Sequence, residues 1–359
     1  MAGTDDKVAV IIVNYNGKRH IEDCLDSVLR QTYGPYDIIL VDNGSRDGSV
    51  ELAGERFPQV KIIRNRANLG FARANNIGIR YALEKGCDYF VFLNYDTVVE
   101  EDFLEELVRC AKRNAQVGIC QSKIYLYSED KPGRIINSIG NEAHFLGFGF
   151  CGGFGEEDSQ KYEQDREITF ASGAAMLVRR EVLEKIGLFD EDFFLYQEDL
   201  DLCMRARLAG WRVLLASASK VHHKYVFAKD KKKFFYTECN RLPRLLKTYE
   251  TLTLLVICPA LLVMEISVIV FALWGGWLGL KLEAYGEVLH SLGKTLRKRK
   301  QLQNMRKVPD REVLSFLTGR VDFPEMASPL MRYGYSPFMS LYWRLSKALL
   351  GVSRRRVLF

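Results

Sequence analysis

The first hundred residues restrict the fold most, because short uninterrupted apolar runs alternate there with amphipathic stretches. Residues 8–13, 38–41 and 89–93 are apolar on both faces and of strand length. Strands of that kind belong in a parallel sheet covered on both sides. Between them, residues 21–29 carry apolar side chains at Ile21, Cys24, Leu25, Val28 and Leu29, and residues 50–56 and 72–84 continue the helical spacing. This alternation predicts a doubly wound α/β domain, Rossmann-like, with a mostly parallel sheet flanked by helices.

In such a sheet, ligands bind beyond the carboxyl ends of the strands. Here those ends read Asn14-Tyr15-Asn16-Gly17, Asp42-Asn43-Gly44-Ser45 and Asn94-Tyr95-Asp96-Thr97, so three polar loops converge on one crevice. No GxGxxG turn follows the first strand, which argues against a nicotinamide or flavin enzyme. A nucleotidyltransferase would want a glycine-rich and basic phosphate loop near that strand, and none is present.

The ordered set of motifs carries a resemblance. Val10-Ile11-Ile12-Val13-Asn14-Tyr15-Asn16-Gly17, Val41-Asp42-Asn43-Gly44-Ser45, Asn68-Leu69-Gly70-Phe71 and Leu93-Asn94-Tyr95-Asp96-Thr97 are followed by Ser172-Gly173-Ala174, Gly187-Leu188-Phe189-Asp190-Glu191 and Gln197-Glu198-Asp199-Leu200-Asp201. Over about residues 7–225 this resembles the family 2 glycosyltransferases, and most closely their rhamnosyltransferase-like branch. The resemblance implies a GT-A fold and an inverting transfer from a nucleoside-diphosphate sugar. A leaving diphosphate gathers charge that a carboxylate-held divalent cation stabilises, and the resemblance places that carboxylate at Asp96. Asn94 stands where the family usually has a second aspartate, so the site has one formal charge fewer. Oxygen ligands and phosphate suit Mg²⁺ or Mn²⁺, and a histidine tilts the choice toward Mn²⁺. Of His222 and His223, alignment with the family pattern points to His223; the alternative is a pair of exposed histidines beside a basic run.

The attacking hydroxyl must lose a proton. Similarity to the family's Glu-Asp motif assigns Asp199 as general base, with Glu198 and Asp201 shaping its surroundings. Helix capping is the plainer explanation for Asp201. The resemblance further implies nucleotide-sugar contacts at Asn14, Tyr15, Asn16, Asp42, Asn43, Asn68, Gly70, Arg73, Asn94 and Tyr95: Tyr15 stacks on the base, Asp42 accepts from base or ribose, and Arg73 meets the diphosphate. The bland alternative for Asp42-Asn43-Gly44-Ser45 is an ordinary turn leading into a helix.

At 359 residues and 48% hydrophobic, the chain has sequence to spare beyond one catalytic core. The expected division is a GT-A catalytic domain over 1–245 and a helical membrane-associating region over 246–359. Residues 251–282 are almost wholly apolar, interrupted by Glu265 and closed by Trp274 and Trp277. That is long for one crossing and short for two, so a re-entrant or interfacial helical hairpin is expected, with one or two crossings as the alternative. Residues 337–356 are expected to form an amphipathic surface helix. Basic residues crowd between Lys229 and Lys247 and again over 294–300; because they flank the apolar segment, anionic headgroups rather than nucleic acid are the expected partner. The glycine-rich, aromatic stretch 128–167 is either a mobile loop over the acceptor or a packed irregular one. Eight scattered cysteines read as reduced, and residues 1–7 lack signal-peptide character. The expected function is therefore sugar transfer to a lipid-linked or polysaccharide acceptor at the cytoplasmic face of the cell membrane. A catalytically silent, membrane-associated nucleotide-sugar-binding module is the alternative.

Overall fold

The structure is a computed structural model that describes residues 6–128, 135–225, 231–320 and 335–352. It divides into two compact units. A sheet unit comprises Met1–Asn141, Cys151–Phe194 and Trp211–Phe227, and a helical unit comprises Glu142–Phe150, Leu195–Gly210 and Ala228–Phe359.

Among the described residues the main sheet of this unit has ten strands: β1 (Val8–Asn14), β2 (Tyr36–Asp42), β3 (Lys61–Arg64), β4 (Tyr89–Asn94), β5 (Thr97–Val99), β6 (Val117–Leu126), β7 (Ile136–Ser138), β8 (Arg166–Glu167), β9 (Ala175–Arg179) and β10 (Arg212–His223). Their order is β8-β10-β6-β9-β4-β1-β2-β3, with β5 on β10 and β7 on β6. The run β4-β1-β2-β3 is parallel, as its two-sided apolar strands require, and so is the β6–β10 pair. Beyond β4 the sheet becomes mixed, because β9 enters antiparallel to both β4 and β6. Helices α1 (Ile21–Leu29), α2 (Ser49–Arg56), α3 (Phe71–Glu84), α4 (Phe103–Lys112) and α5 (Arg180–Ile186) belong to this unit. Val8, Val10 and Ile12 on β1, Ile38 and Leu40 on β2 and Val91 on β4 are buried in one core with Ile21, Leu25 and Val28 of α1 and Leu104 and Leu107 of α4.

The stretch 128–167 is packed among its described residues. It supplies β7 and β8 to the sheet, and Asp158 accepts hydrogen bonds from the buried Lys123 Nζ at 2.9 Å and from Tyr125 Oη at 2.5 Å.

The helical unit contains α6 (Glu198–Leu208), α7 (Lys232–Thr248), α8 (Thr251–Trp274), α9 (Leu278–Met305), the short α10 (Asp310–Val313) and α11 (Ser336–Leu349). The apolar run 251–282 does form a hairpin, but an unequal one. Twenty-four residues make α8, the chain turns at Gly275–Gly276, and α9 continues through the basic cluster 294–300. At about 1.5 Å per residue α8 is long enough to cross a bilayer.

Its one acidic residue, Glu265, joins a buried charge network. Glu238 and Arg241 of α7 pair with each other at 2.8 Å, and both Arg241 and Lys281 of α9 pair with Glu265, the latter at 2.8 Å. Tyr285 Oη adds a hydrogen bond of 2.6 Å to Glu265. Two cations and two carboxylates balance, so each charge is compensated; truncating one partner would leave one buried charge uncompensated, at a cost of about 3–5 kcal/mol. The cluster between Lys229 and Lys247 is accordingly not a lipid-facing surface throughout. Arg241, Arg244 and Lys247 are buried with protein partners, because the inward face of α7 needs cations for Glu238, Gln197 and Asp201. Lys229 lies outside the described residues.

α11 corresponds to the helix expected over 337–356, although 353–356 lie outside the described residues. Its inward Trp343 is fully buried, stacks on Phe145 at 4.6 Å between centroids and donates to Leu317 O at 3.0 Å. The adjacent His144 is also buried, and its Nδ1 accepts from the Leu146 N–H at 3.2 Å. Burial pulls its pKa from an ordinary 6.5 down to about 3, with the nearby Arg241 charge acting in the same direction. A base depressed on folding favours the native state above 6.5, and that contribution is lost as pH falls toward 3. Between pH 6.5 and pH 5 the native state should lose about 2 kcal/mol on this account. Denaturant melts at both pH values should show the loss, and His144→Gln should flatten it; an unchanged slope would discount His144 as its source.

Candidate functional site

In the sheet unit the parallel register brings the ends of β1, β2 and β4 level, with Asn14 opposite Asp42 and Val13 opposite Asn94. Asn14 is fully buried, and its Nδ2 reaches Asp42 Oδ1 at 3.1 Å, Ser45 Oγ at 3.0 Å and Ser49 Oγ at 2.8 Å. The Asp42 carboxylate also accepts the N–H groups of Gly44 at 3.1 Å and Ser45 at 3.2 Å. Both side chains are thus used to shape the loop. Asn16, at φ 53°, donates its N–H to Ser45 Oγ at 2.9 Å and accepts the Arg46 N–H at 2.9 Å. These bonds clamp the first two loops together and leave Tyr15 44% exposed on their surface.

Asn43 turns the other way. Its Oδ1 accepts from Asn65 Nδ2 and the Leu69 N–H, both at 3.1 Å, and its Nδ2 donates to Asn68 Oδ1 at 3.0 Å and to Gly70 O at 3.1 Å. Asn68 in turn accepts the Gly70 N–H at 2.9 Å. Gly70 has φ +81°, and a Cβ there would come within 2.4 Å of the Phe194 carbonyl, so only glycine fits this turn. Asn43, Asn68 and Gly70 are therefore joined as a scaffold that sets the start of α3. Arg73 projects from that helix, more than half exposed, with Nε 3.8 Å from Glu191.

The third loop carries Asp96. Asp96 lies between β4 and β5, and β5 pairs antiparallel with the end of β10 so that Thr97 faces His223. The Lys224 N–H donates to Asp96 O at 2.8 Å and extends this ladder. As a result His223 Nε2 stands 3.2 Å from Asp96 Oδ1, and its Nδ1 is 3.4 Å from Asn137 Oδ1 on β7. Strand alternation sends His222 to the opposite face, where it meets Glu100 at 2.8 Å and stacks on Tyr125. The pleat therefore puts His223, and not His222, beside Asp96. His223 Nε2 and Asp96 Oδ1 thus converge on one point, with the Asn137 amide oxygen behind the imidazole. Among the described residues no group of three or more His, Cys, Asp and Glu side chains is arranged to hold a metal.

Tyr95 lies beside this loop, its ring 2.6 Å from where a Gly17 Cβ would be; burial, reinforced by the charges of Asp96 and Asp47, raises its phenol pKa. The Asn94 main chain is fixed by the Ala174 carbonyl at 3.0 Å and by Thr97 Oγ1 at 2.6 Å.

In the helical unit, Tyr196 and Gln197 both adopt positive φ, 66° and 72°, immediately before α6. Non-glycine residues hold that conformation only when their surroundings enforce it. Here Asn240 Nδ2 of α7 donates to Leu195 O at 3.0 Å and Tyr196 O at 2.8 Å, and Arg244 Nε donates to Gln197 Oε1 at 2.8 Å. The turn presents two carboxyl groups in different settings. Glu198 is buried with its Oε2 lacking a hydrogen bond among the described residues, and burial, followed by the charge of Asp199, drives its pKa well above the usual carboxylate range. Asp199 is only partly buried, and its Oδ1 accepts the Leu200 N–H at 2.7 Å. Asp201 is fully buried and ion-paired with Arg205 at 2.7 Å and Lys247 at 3.0 Å, a structural role.

Residues 9–187 match the model of glycosyl transferase family 2. Over 239 residues the chain is 30% identical to the N-acetylglucosaminyl-diphospho-decaprenol L-rhamnosyltransferase of Mycobacterium tuberculosis, a similarity covering 61% of this chain and 76% of that one. The chain belongs to glycosyl transferase family 2.

Among solved structures, S. aureus TarS residues 1–349 in complex with UDP superimposes with a TM-score of 0.51 at 17% identity, covering 98% of this chain and 93% of that one. GalNAc-T7 with UDP, GalNAc and Mn²⁺ gives a TM-score of 0.52 at 17% identity over 68% of this chain, which spans 48% of that protein. The fold is thus that of GT-A-like glycosyltransferases, and the rhamnosyltransferase-like likeness read from the motifs agrees with the mycobacterial relative. No sequence motif flagged Asn137, which contacts the His223 ring but is far from it in sequence, in an otherwise unremarked strand.

Proposed function

We propose that this enzyme transfers a hexosyl or deoxyhexosyl group, with inversion, from a nucleoside-diphosphate sugar to a lipid-linked acceptor at the cytoplasmic face of a membrane. The observation that carries the proposal is the convergence of Asp96 Oδ1 and His223 Nε2, 3.2 Å apart, beyond the strand ends where an α/β sheet binds its ligand. A carboxylate oxygen and an imidazole nitrogen suit Mn²⁺, and Mg²⁺ less well; GalNAc-T7, a fold neighbour, was solved with that ion. When bound, the ion supplies positive charge to the departing diphosphate.

The chain's own residues do the rest. The Asn14–Asp42–Ser45 clamp fixes the loop from which Tyr15 offers its ring to the base. Asn16, Asn94 and Tyr95 line the same strand ends, and the Asn43–Asn68–Gly70 scaffold aims α3 and its Arg73 at the phosphates. Asp199 takes the proton from the attacking hydroxyl, and Glu198, whose neutral form burial favours, leaves the negative charge of the pair on Asp199. The mycobacterial relative is named for a diphospho-decaprenol acceptor, which supports a lipid-linked acceptor here. Residues 1–245 would then form the catalytic part and 246–359 the membrane-associating part.

A binding screen of uridine and thymidine diphosphate sugars, with and without Mn²⁺, tests the reading. At least one donor should bind about tenfold or more tightly with the cation. Equal affinity in its absence would remove the metal site, and binding without any transfer would favour a silent binding module.

A further inference from the structure

The two faces of α8 differ. Ile257, Ala260, Met264, Val268 and Ala272 recur at helical spacing and are buried. Leu255, Leu262 and Ile266 point outward and are each more than half exposed. Glu265 is directed into the network with Arg241, Lys281 and Tyr285. α11 is bound to α8 by Tyr342 Oη, which donates to Val256 O at 2.7 Å, and it repeats the pattern: Leu341, Leu345 and Leu349 are each more than half exposed. Two neighbouring helices of one unit thus carry outward apolar stripes, more than a water-facing surface ordinarily tolerates.

We propose that these stripes lie in the surface of an anionic bilayer, and that α8 does not cross it. For α8 to span, its buried face would have to draw α7 and α9 into the hydrocarbon with it, or else strip Glu265 from its partners. The first course takes Glu238, Arg241 and Lys281 along, and a charged side chain at the bilayer centre costs about 3 kcal/mol even on the mildest scale. The second leaves a lone carboxylate in lipid. Lying in the interface avoids both: the apolar stripes meet the acyl boundary while the network stays sealed in protein.

Charge selects the lipid. α9 carries exposed Arg297 and Lys300, α11 carries exposed Arg344, and no Asp or Glu occurs between residues 288 and 309 or within α11. Basic side chains at a membrane surface each contribute about 1 kcal/mol toward anionic headgroups. This inference deepens the proposed membrane-linked function and rests on it.

Sedimentation of the full chain with phosphatidylcholine vesicles, with and without phosphatidylglycerol, tests it. Binding should require the anionic lipid, weaken with salt, and be released by alkaline carbonate. Leu262→Glu combined with Ile266→Glu, both on the outward face, should weaken vesicle binding at least tenfold while the melting profile and donor binding stay unchanged. Carbonate-resistant retention with α8 protected from protease would establish a crossing helix and overturn the proposal. So would unchanged binding by the double variant, or a dimer that the variant dissolves with no vesicle binding by the parent. Donor binding is read in a separate assay without lipid, so loss of the donor chemistry and loss of docking are distinguishable.

Discussion

Asp199→Asn should reduce sugar transfer by about 10²–10⁴-fold, the range expected when a positioned general base is removed, while Glu198→Gln should stay within about tenfold of the parent. The asymmetry follows from the two environments. Glu198 is buried beside Asp199, and burial together with that neighbouring charge holds its carboxyl well above the usual range, which favours its neutral form. Glutamine reproduces a neutral, planar group of the same size. Asp199 is more open, and its Oδ1 accepts a backbone N–H. Steady-state transfer measured across pH distinguishes the roles: Glu198→Gln should keep the shape of the parent profile, whereas the residual rate of Asp199→Asn should lose its acidic limb. If the two substitutions were equally damaging, the division of labour between the carboxyl groups would be wrong.

The second large effect concerns the cation. Asp96→Ala should lower kcat/KM by about 10³-fold, which corresponds to the several kcal/mol that a Lewis acid supplies to a leaving phosphate. His223→Ala should instead raise the Mn²⁺ concentration needed for half-maximal rate. Asn137→Ala should do the same by about 10–100-fold, since it removes only the oxygen that orients the imidazole. Titration of activity with Mn²⁺ after chelation separates these cases, because added metal restores Asn137→Ala and fails to restore Asp96→Ala. Full activity of Asp96→Ala in chelator would refute the metal site altogether.

Much of this was legible in the residues. The two-sided apolar strands and the polar residues that end them specify the parallel core and its crevice, since both follow from local periodicity. Residues whose partners are remote were less legible. Asp42 and Asn43 read as ligands, yet their side chains are largely committed to the loops around them, because a carboxylate or amide at a strand end is first captured by neighbouring N–H groups. Asn137 left no signal, since nothing local marks an asparagine whose partner lies in a distant strand. The basic run up to Lys247 read as lipid-facing because linear charge density does not reveal which face of a helix turns inward; Arg241, Arg244 and Lys247 each find a partner there. The apolar run was read as one hairpin because hydropathy does not locate the turn, which two glycines place near its end.

Glu238, Asn240, Arg241 and Arg244 follow one another within two turns of α7, and their tasks interleave. Glu238 and Arg241 anchor the apolar helix, while Asn240 and Arg244 grip the turn that offers the carboxyl pair. No loop separates the two sets. If the apolar stripes dock on a bilayer as proposed, solubilising changes on the inward face of α7 would disturb the turn before α6 as well, and such changes belong on the outward side of α8 and α11, where neither grip is touched.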